Sequence, residues 1–227
     1  MKKWLFRFLL LVILVVGVIL IFNKQISYYL MQETSEGYQV ANTTPEEVEE
    51  NEQREETFEL DQVEPVRSET VVKSQLSEQK EDLPVVAGIT VPSVGIDLPI
   101  FKGLANENLL YGAGTLTPDQ KMGEGNYALA SHRMNNPELL FTPLERVSIG
   151  DNIYLTDLEN VYTYQTTDKQ TVDYTDTSAL QEDPEKAKVT LITCEEMDSP
   201  KRIVVQGKLV DTQPIEETTV FDAGENK

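Results

Sequence analysis

The hydrophobic positions fall into three regions, and the first is a single long apolar run. Residues 8–22 are apolar without interruption, and counting back to Trp4 gives nineteen residues with one charge, that of Arg7. A membrane-spanning helix needs about 20 apolar residues, and an arginine near its end can extend its charge to the interface. The pattern therefore predicts a transmembrane helix at 8–22 that follows a short segment, 1–7.

Charge around this run predicts its orientation. Residues 1–32 contain four basic and no acidic side chains, and most of the positive charge precedes the run. Such a distribution favours a cytoplasmic N-terminus (1–7), with the chain after the run outside the cell. A cleaved signal peptide, the alternative, would show small residues in an A-x-A-like pattern after the run, but Asn-Lys-Gln-Ile follows. We therefore expect an uncleaved, single-pass signal anchor in the cell membrane.

The second region, residues 23–82, is polar and acidic. Between 33 and 82 there are sixteen acidic and four basic residues, with few aromatic side chains. Low hydrophobicity and high net charge leave a chain too little apolar surface to offset its ordering entropy. Glu and Gln favour helix, so short helices fit this composition. We nevertheless expect a largely disordered extracellular stalk.

In the third region, residues 83–210, short β-branched apolar runs alternate with turn residues. The predicted strands are 88–91, 98–101, 126–131, 152–157, 161–174, 188–194 and 202–210. Short strands at this spacing indicate an all-β barrel or sandwich. Helical signals are confined to 106–111, 137–144 and 178–185. The length suits one domain with one core, and the acidic segment 211–227 is expected to be a disordered tail.

Strand parity orders the side chains of the last two predicted strands, 188–194 and 202–210. Successive side chains of a strand point to opposite faces of the sheet. If these strands pair as a hairpin, four apolar residues face the core: Val189, Leu191, Ile203 and Val205. Cys194 and Arg202 then lie side by side at the loop end, on the opposite face.

Cys194 is the only cysteine of the chain and His132 the only histidine. A lone cysteine forms no internal disulfide, and with a lone histidine elsewhere it is a candidate nucleophile. His132 ends its predicted strand with Ala128 and Ala130 on its face, which leaves room for an extended ligand. An imidazole can accept a thiol proton, and Arg202 can meet the negative charge that develops in acyl transfer. These residue types suit a thiol acyltransferase or peptidase.

The residues around Cys194 also match a known signature. Residues 190–194 read Thr-Leu-Ile-Thr-Cys, Arg202 follows on the next strand, and His132 ends a strand before a loop. In these features the chain resembles a class A sortase, a membrane-anchored cysteine transpeptidase of Gram-positive bacteria, whose signature is Thr-Leu-x-Thr-Cys. The resemblance covers about 83–210, with further similar segments at 99–104, 111–115, 140–144 and 150–157. Ser131 departs from it, because many members have Gly there.

The resemblance implies an eight-stranded sortase-type β-barrel that cleaves an LPXTG-type sorting signal between Thr and Gly, near the C-terminus of secreted proteins. Cys194 would attack the Thr carbonyl to form a thioacyl intermediate, and His132 would act as general acid and base. Arg202 would stabilise the oxyanion or hold the substrate. An amino group of a lipid-linked peptidoglycan precursor in the cell wall would then resolve the intermediate.

The resemblance also implies a substrate-binding set. Ala130 and Ile192 align with positions that shape the groove for the sorting signal. Thr193 aligns with a position close to the reacting carbonyl.

No cofactor and no metal site are expected. A calcium-activated member of the class has several acidic residues in the loop before the histidine strand, whereas 117–124 here contains two acids and a lysine. Asp119, Glu124 and Glu182 are the candidate ligands, but a hard oxygen site needs six to eight. Nucleic acid is excluded as a partner by the net charge of -20, because nucleic-acid binding needs clustered Lys and Arg.

Three alternatives remain at this point. A membrane-anchored thiol peptidase that only hydrolyses would use the same three residues, and an amine trap separates it from a transferase. A non-enzymatic binding module would hold Cys194 as an inert buried side chain, so that Cys194→Ala would leave its function intact. A pilus-building sortase of another class is the third alternative.

Overall fold

A closed eight-stranded β-barrel forms the centre of the computed structural model, which describes residues 2–66, 70–71, 82–181, 186–196 and 199–221. The strands are β1 (Val85–Val91), β2 (Ile96–Phe101), β3 (Ala113–Thr115), β4 (Asn126–Ala130), β5 (Asn152–Thr156), β6 (Asn160–Asp173), β7 (Lys188–Cys194) and β8 (Lys201–Pro214). Their order around the barrel is β1-β2-β3-β4-β7-β8-β6-β5. The pairs β2–β3 and β4–β7 are parallel. The eight-stranded barrel confirms the predicted fold class.

Helices are short within the barrel domain and longer before it. The α-helices are α1 (Lys2–Ile21), α2 (Asn23–Gly37), α3 (Pro45–Glu52) and α4 (Asn106–Tyr111). Single 3-10 turns occur at Val40–Asn42, Leu60–Gln62, Thr142–Arg146, Ser178–Leu180 and Ile215–Glu217. α1 contains the predicted apolar run as far as Ile21, and its Lys3–Ile21 stretch is long and apolar enough to cross a membrane.

The barrel interior is filled by alternating side chains of its strands. Val189, Leu191 and Val205 are fully buried and Ile203 is nearly so, as strand parity predicted. All four belong to one large apolar cluster that spans the barrel. Full burial of an aliphatic side chain contributes about 1.5–3 kcal/mol. This face of the β7–β8 hairpin therefore holds the barrel together, and its opposite face is left for the site.

The structure differs from the predicted disordered stalk over residues 23–66. Met31 of α2 and Val40 are each 2% exposed and belong to the barrel's apolar cluster. Tyr38 packs edge-on against Phe101 with ring centroids 5.8 Å apart. In α3, the Asn51 side chain donates to the Val85 carbonyl at 2.9 Å. The acidic segment is thus wrapped on the barrel; residues 67–69 and 72–81 lie outside the described part.

Residues 23–66 are docked because a few apolar side chains pack on the barrel, although the average composition of the segment is polar and acidic. α2 and α3 direct their charged side chains outward, and only a few buried side chains per helix attach them to the barrel. α3 also has a strong start signal, because Thr44 and Glu47 form a capping box and Pro45 occupies the first turn. Such local signals specify a helix even where net charge predicts disorder.

Smaller differences have local causes. β8 continues to Pro214, beyond the predicted boundary at 210, because the 14-residue β6 pairs with it along its whole length. Leu140 has φ of 52°, which ends any helix over 137–144 and leaves only the 3-10 turn that follows. β3 was absent from the predicted strands because three residues are too few to show alternation. Of the predicted tail, 222–227 lies outside the described residues.

Replacing Met31 by Ala should test whether α2 is docked. Removal of a buried Met side chain leaves a cavity, so we expect the full-length chain in detergent to lose about 2 kcal/mol of unfolding free energy. Tyr29→Ala is the matched control, because Tyr29 is 68% exposed on the same helix and its loss should have little effect. Equal melting curves for the two variants would mean that α2 is undocked.

Candidate active site

His132 is brought level with Cys194 by the parallel ladder between β4 and β7. Ala130 pairs with Ile192 at the end of this ladder. One residue further, the Ser131 amide donates to the Ile192 carbonyl at 3.2 Å, and the Thr193 hydroxyl donates to the Ser131 carbonyl at 2.9 Å. The two chains therefore stay side by side beyond the end of β4, and the next residues are His132 and Cys194.

Arg202 is brought to Cys194 by the antiparallel ladder on the other edge of β7. Cys194 and Arg202 are directly paired residues of β7 and β8, as strand parity predicted. The Arg202 guanidinium donates through Nη1 to the carbonyls of Ser199 and Lys201, at 2.9 and 3.1 Å. These bonds fix the cation at the end of the hairpin, on the same side as the thiol.

His132 is also fixed from its far side. Its carbonyl accepts from the Phe141 amide at 3.1 Å, and the preceding Ser131 hydroxyl donates to the Gly112 carbonyl at 2.7 Å. Ser131 therefore ties the histidine strand to the start of β3, a bond that a glycine could not make. The departure from the family pattern adds an anchor here.

The three residues share one cavity of about 290 Å³. Its lining includes the whole predicted set: His132, Cys194, Arg202, Ala130, Ile192 and Thr193. Cys194 and His132 are half-buried, whereas Ala130, Ile192 and Thr193 are buried. The cavity thus joins a polar end with the thiol to an apolar floor, which suits a peptide with both apolar and reactive parts.

Several lining residues were missed by sequence reasoning. They are Leu60, Val63, Pro65, Val66, Leu109, Ser131, Arg133 and Ser199. The first four come from the acidic segment that was expected to be disordered. In the sequence, these four residues form a small apolar group between acidic residues, with Leu60 and Val63 three positions apart. This grouping is the signal that could have identified them.

Burial sets the protonation state of His132. Desolvation disfavours the imidazolium and lowers the pKa of His132 from its ordinary 6.5 to about 4. At neutral pH the imidazole is therefore uncharged and retains a lone pair. It is thus able to accept the proton of a thiol at the same end of the cavity.

The candidate calcium ligands lie elsewhere. Asp119 and Glu124 line a separate surface pocket with Glu52 and Asp157. Glu182 falls outside the described residues. In the described part of the chain, no group of three or more His, Cys, Asp or Glu side chains is placed to hold a metal ion.

Comparison with known proteins decides the family. Residues 89–210 match the Sortase family, described as a sortase domain. The chain belongs to the sortase family. This sortase is 37% identical to Sortase A of Streptococcus agalactiae over 91% of its own chain and 85% of the relative. It is 38% identical to Sortase A of Listeria monocytogenes over 90% and 91% of the two chains.

The fold gives the same result. The solved structure of Listeria monocytogenes sortase A superposes with a TM-score of 0.56 and 46% identity, covering 58% of this sortase and 90% of that chain. The resemblance to class A sortases stated from the sequence is confirmed. This sortase is a cysteine transpeptidase that cleaves an LPXTG-type sorting signal.

Because His132 is the only histidine, its titration can be followed directly by NMR. We expect the imidazole C2 proton to shift with a midpoint near pH 4, against about 6.5 after unfolding. This difference in pKa makes the stability of the fold depend on pH. As pH falls, the imidazole of the unfolded chain is protonated before that of the folded chain. The free energy of unfolding that neutral His132 contributes above pH 6.5 is therefore lost between about pH 6.5 and 4. A midpoint near 6.5 in the folded protein would contradict burial of the imidazole.

Thr193→Val should test the bond that aligns β4 with β7. The variant leaves the buried Ser131 carbonyl without its donor and loosens the position of His132, so we expect kcat to fall about tenfold. Thr193→Ser keeps a hydroxyl and should retain most of the activity. Similar kcat values for Thr193→Val and the unmodified chain in a peptide-cleavage assay would show that this bond does not position His132.

Proposed function

We propose that Cys194, His132 and Arg202 catalyse transpeptidation at the end of the β7–β8 hairpin. The observation that supports this is their convergence on one cavity, at the level where β4 and β7 end and β8 begins. A nucleophile, a base and a fixed cation within one partly buried site are the groups that acyl transfer needs.

In the first half-reaction, the Cys194 sulfur attacks the carbonyl carbon of the signal's Thr, and its proton passes to the neutral His132 imidazole. The carbonyl oxygen becomes an oxyanion beside the Arg202 guanidinium. Collapse breaks the Thr–Gly bond, and the His132 imidazolium gives its proton to the departing Gly amine. A thioester between Cys194 and the Thr acyl group remains.

The second half-reaction reverses these roles. An amine attacks the thioester carbon, His132 takes a proton from this amine, and Cys194 leaves as the thiol after receiving that proton. Arg202 meets the second oxyanion. We propose an amino group of a lipid-linked peptidoglycan precursor as the acceptor, which would join the sorted protein to the cell wall. Water in the same position would give hydrolysis.

Arg202 suits the oxyanion role because of how it is held. A guanidinium stays charged at every physiological pH and presents five N–H groups in a planar fork. Two carbonyls of its own hairpin fix it from one side. Its charge can therefore meet the oxyanion with little reorganisation, and preorganised charge is the usual source of large catalytic effects.

Ala130 and Ile192 are proposed to contact the apolar part of the signal. They are paired residues of β4 and β7, both buried and both in the cavity wall. Ala130 provides a short side chain and therefore space, and Ile192 provides an apolar surface. The Leu and Pro of a signal would be desolvated by such a floor, which is favourable in proportion to the apolar area buried.

We further propose that α1 anchors the enzyme in the cell membrane, with its N-terminus cytoplasmic and the barrel outside. The support is the apolar Lys3–Ile21 stretch and the basic residues at its start. An anchor there would place the site on the side of the membrane where secreted proteins emerge.

The proposal is tested with the full-length chain in detergent, a quenched Leu-Pro-x-Thr-Gly peptide, and an amine such as oligoglycine or alanine. Mass spectrometry should find the peptide's Thr joined to the amine, and Cys194→Ala should abolish both cleavage and adduct. Arg202→Lys keeps the charge but loses the fork, so we expect kcat to fall about a hundredfold.

The matched control is Arg146→Lys, because Arg146 is a surface arginine paired with Glu138. It should leave kcat unchanged. Free acid without amine adduct, with every acceptor, would support the hydrolytic peptidase instead. Full activity in Cys194→Ala would overturn the proposed chemistry.

A further inference from the structure

A second cavity, of about 850 Å³, adjoins the cavity that contains the Cys194 thiol. It lies between the chain that follows His132 and the loop that follows Cys194. From these two segments its lining includes Arg133, Met134, Asn135, Glu196, Ser199 and Pro200. Arg133 and Ser199 line both cavities, so the two spaces meet beside the proposed catalytic residues.

The order of residues along β4 and β7 places the second cavity relative to the reaction. The floor proposed for the signal comes two residues before the proposed base and nucleophile, at Ala130 and Ile192. The second cavity is built from residues that follow this pair, and the two strands are parallel. The acyl part of the signal would therefore lie in the first cavity, and the group on the other side of the Thr carbonyl in the second. That group is the departing Gly in the first half-reaction and the incoming amine in the second.

Arg133 has a hydrogen-bond donor at this junction that the protein itself does not use. One terminal nitrogen, Nη2, donates to the Glu145 carboxylate. The other, Nη1, is buried and has no hydrogen-bond acceptor among the described residues. A buried donor of a charged group costs free energy when it lacks an acceptor, and such groups are uncommon in folded proteins. A guanidinium nitrogen in this state, in the wall of a substrate cavity, is available to an anionic group of a ligand.

The backbone on either side of Arg133 fixes the position of its guanidinium. Arg133 and Leu140 form an antiparallel bridge, and the Met134 amide donates to the Thr142 hydroxyl at 2.8 Å. The Arg133 side chain is only 18% exposed. A planar, permanently charged fork that is already held in place loses little side-chain entropy when it binds a carboxylate.

The acidic residues of the second cavity narrow the class of ligand. In the described part of its lining they are Glu145, which already pairs with Arg133, and Glu196, which is exposed. Glu196 would repel an isolated anion, whereas a molecule with both a carboxylate and an amino group has charges of both signs to match. An amino group is also what the thioester requires for the second half-reaction.

We propose that Arg133 determines specificity in the second half-reaction, and that its Nη1 binds a carboxylate of the acceptor amine. This inference rests on the proposed function for the thioester that the amine attacks. The preferred acceptor is an amino acid or peptide whose amino group attacks the thioester while its free carboxylate stays in the second cavity. The bond changes are those of the second half-reaction, and the carboxylate takes no part in them. Glu145 competes with this carboxylate for the same guanidinium.

The test uses the full-length chain in detergent, a quenched Leu-Pro-x-Thr-Gly peptide and matched acceptors. Glycylglycine and triglycine are each compared with the corresponding C-terminal amide, which has the same amino group but no carboxylate. Mass spectrometry of adduct formation at low acceptor concentration gives the ratio of kcat/KM for acid over amide. Because the ratio is taken within each variant, a general loss of activity cancels from it.

Three variants change this ratio in different directions. Arg133→Gln removes the cation, so we expect the ratio to fall about tenfold for at least one acceptor length, as for a lost charge-assisted hydrogen bond. Glu145→Gln removes the competing carboxylate, so the ratio should rise about threefold. Arg146→Gln is the matched control, because Arg146 is a surface arginine paired with Glu138 and outside the second cavity, and its ratio should equal that of the unmodified chain.

Equal ratios in Arg133→Gln and the unmodified chain, at both acceptor lengths, would overturn the inference and leave transpeptidation intact. An unchanged or lower ratio in Glu145→Gln would also overturn it, because the ion pair would then only support the loop. Free acid without adduct, with every acceptor, would refute the proposed transfer itself and the role of Arg133 with it. If Arg133→Gln unfolds, the direction of the change in Glu145→Gln decides alone.

Discussion

The whole site depends on β7 having a partner strand on each edge. The parallel ladder with β4 carries His132 to one side of Cys194, and the antiparallel ladder with β8 carries Arg202 to the other. Residues separated by about 60 positions in sequence are thereby fixed at one end of a barrel. Because strand ladders are rigid and cooperative, no loop has to close for these three side chains to meet.

Because side chains alternate along β7, one face of the strand packs in the core and the other faces the site. Val189 and Leu191 face the main apolar cluster, and Ile192 and Cys194 face the groove. A one-residue slip in register would exchange the two sets, placing the thiol in the core and aliphatic side chains in the groove. Packing of the interior therefore keeps the Cys194 thiol on the face of the groove.

The sequence was most informative where local pattern and chemistry coincide. The β7–β8 hairpin, its core residues and the Cys194–Arg202 pair follow from period-2 alternation and from there being one cysteine. The docking of α2, α3 and residues 57–66 did not follow, because a few apolar residues among many charges acquire partners only in the tertiary structure. The lowered pKa of His132 likewise depends on burial by residues distant in sequence.

Docking of α2 changes how the enzyme would sit relative to the bilayer. Met31, its buried contact, is ten residues beyond Ile21, the last residue of α1. Ten helical residues rise about 15 Å. With α1 as the proposed anchor, the barrel would be held at a nearly constant height above the lipid headgroups instead of on a long tether. An enzyme held in this way would sample a thin layer next to the membrane, and its encounters would be limited to chains that are still attached to that surface or passing through it.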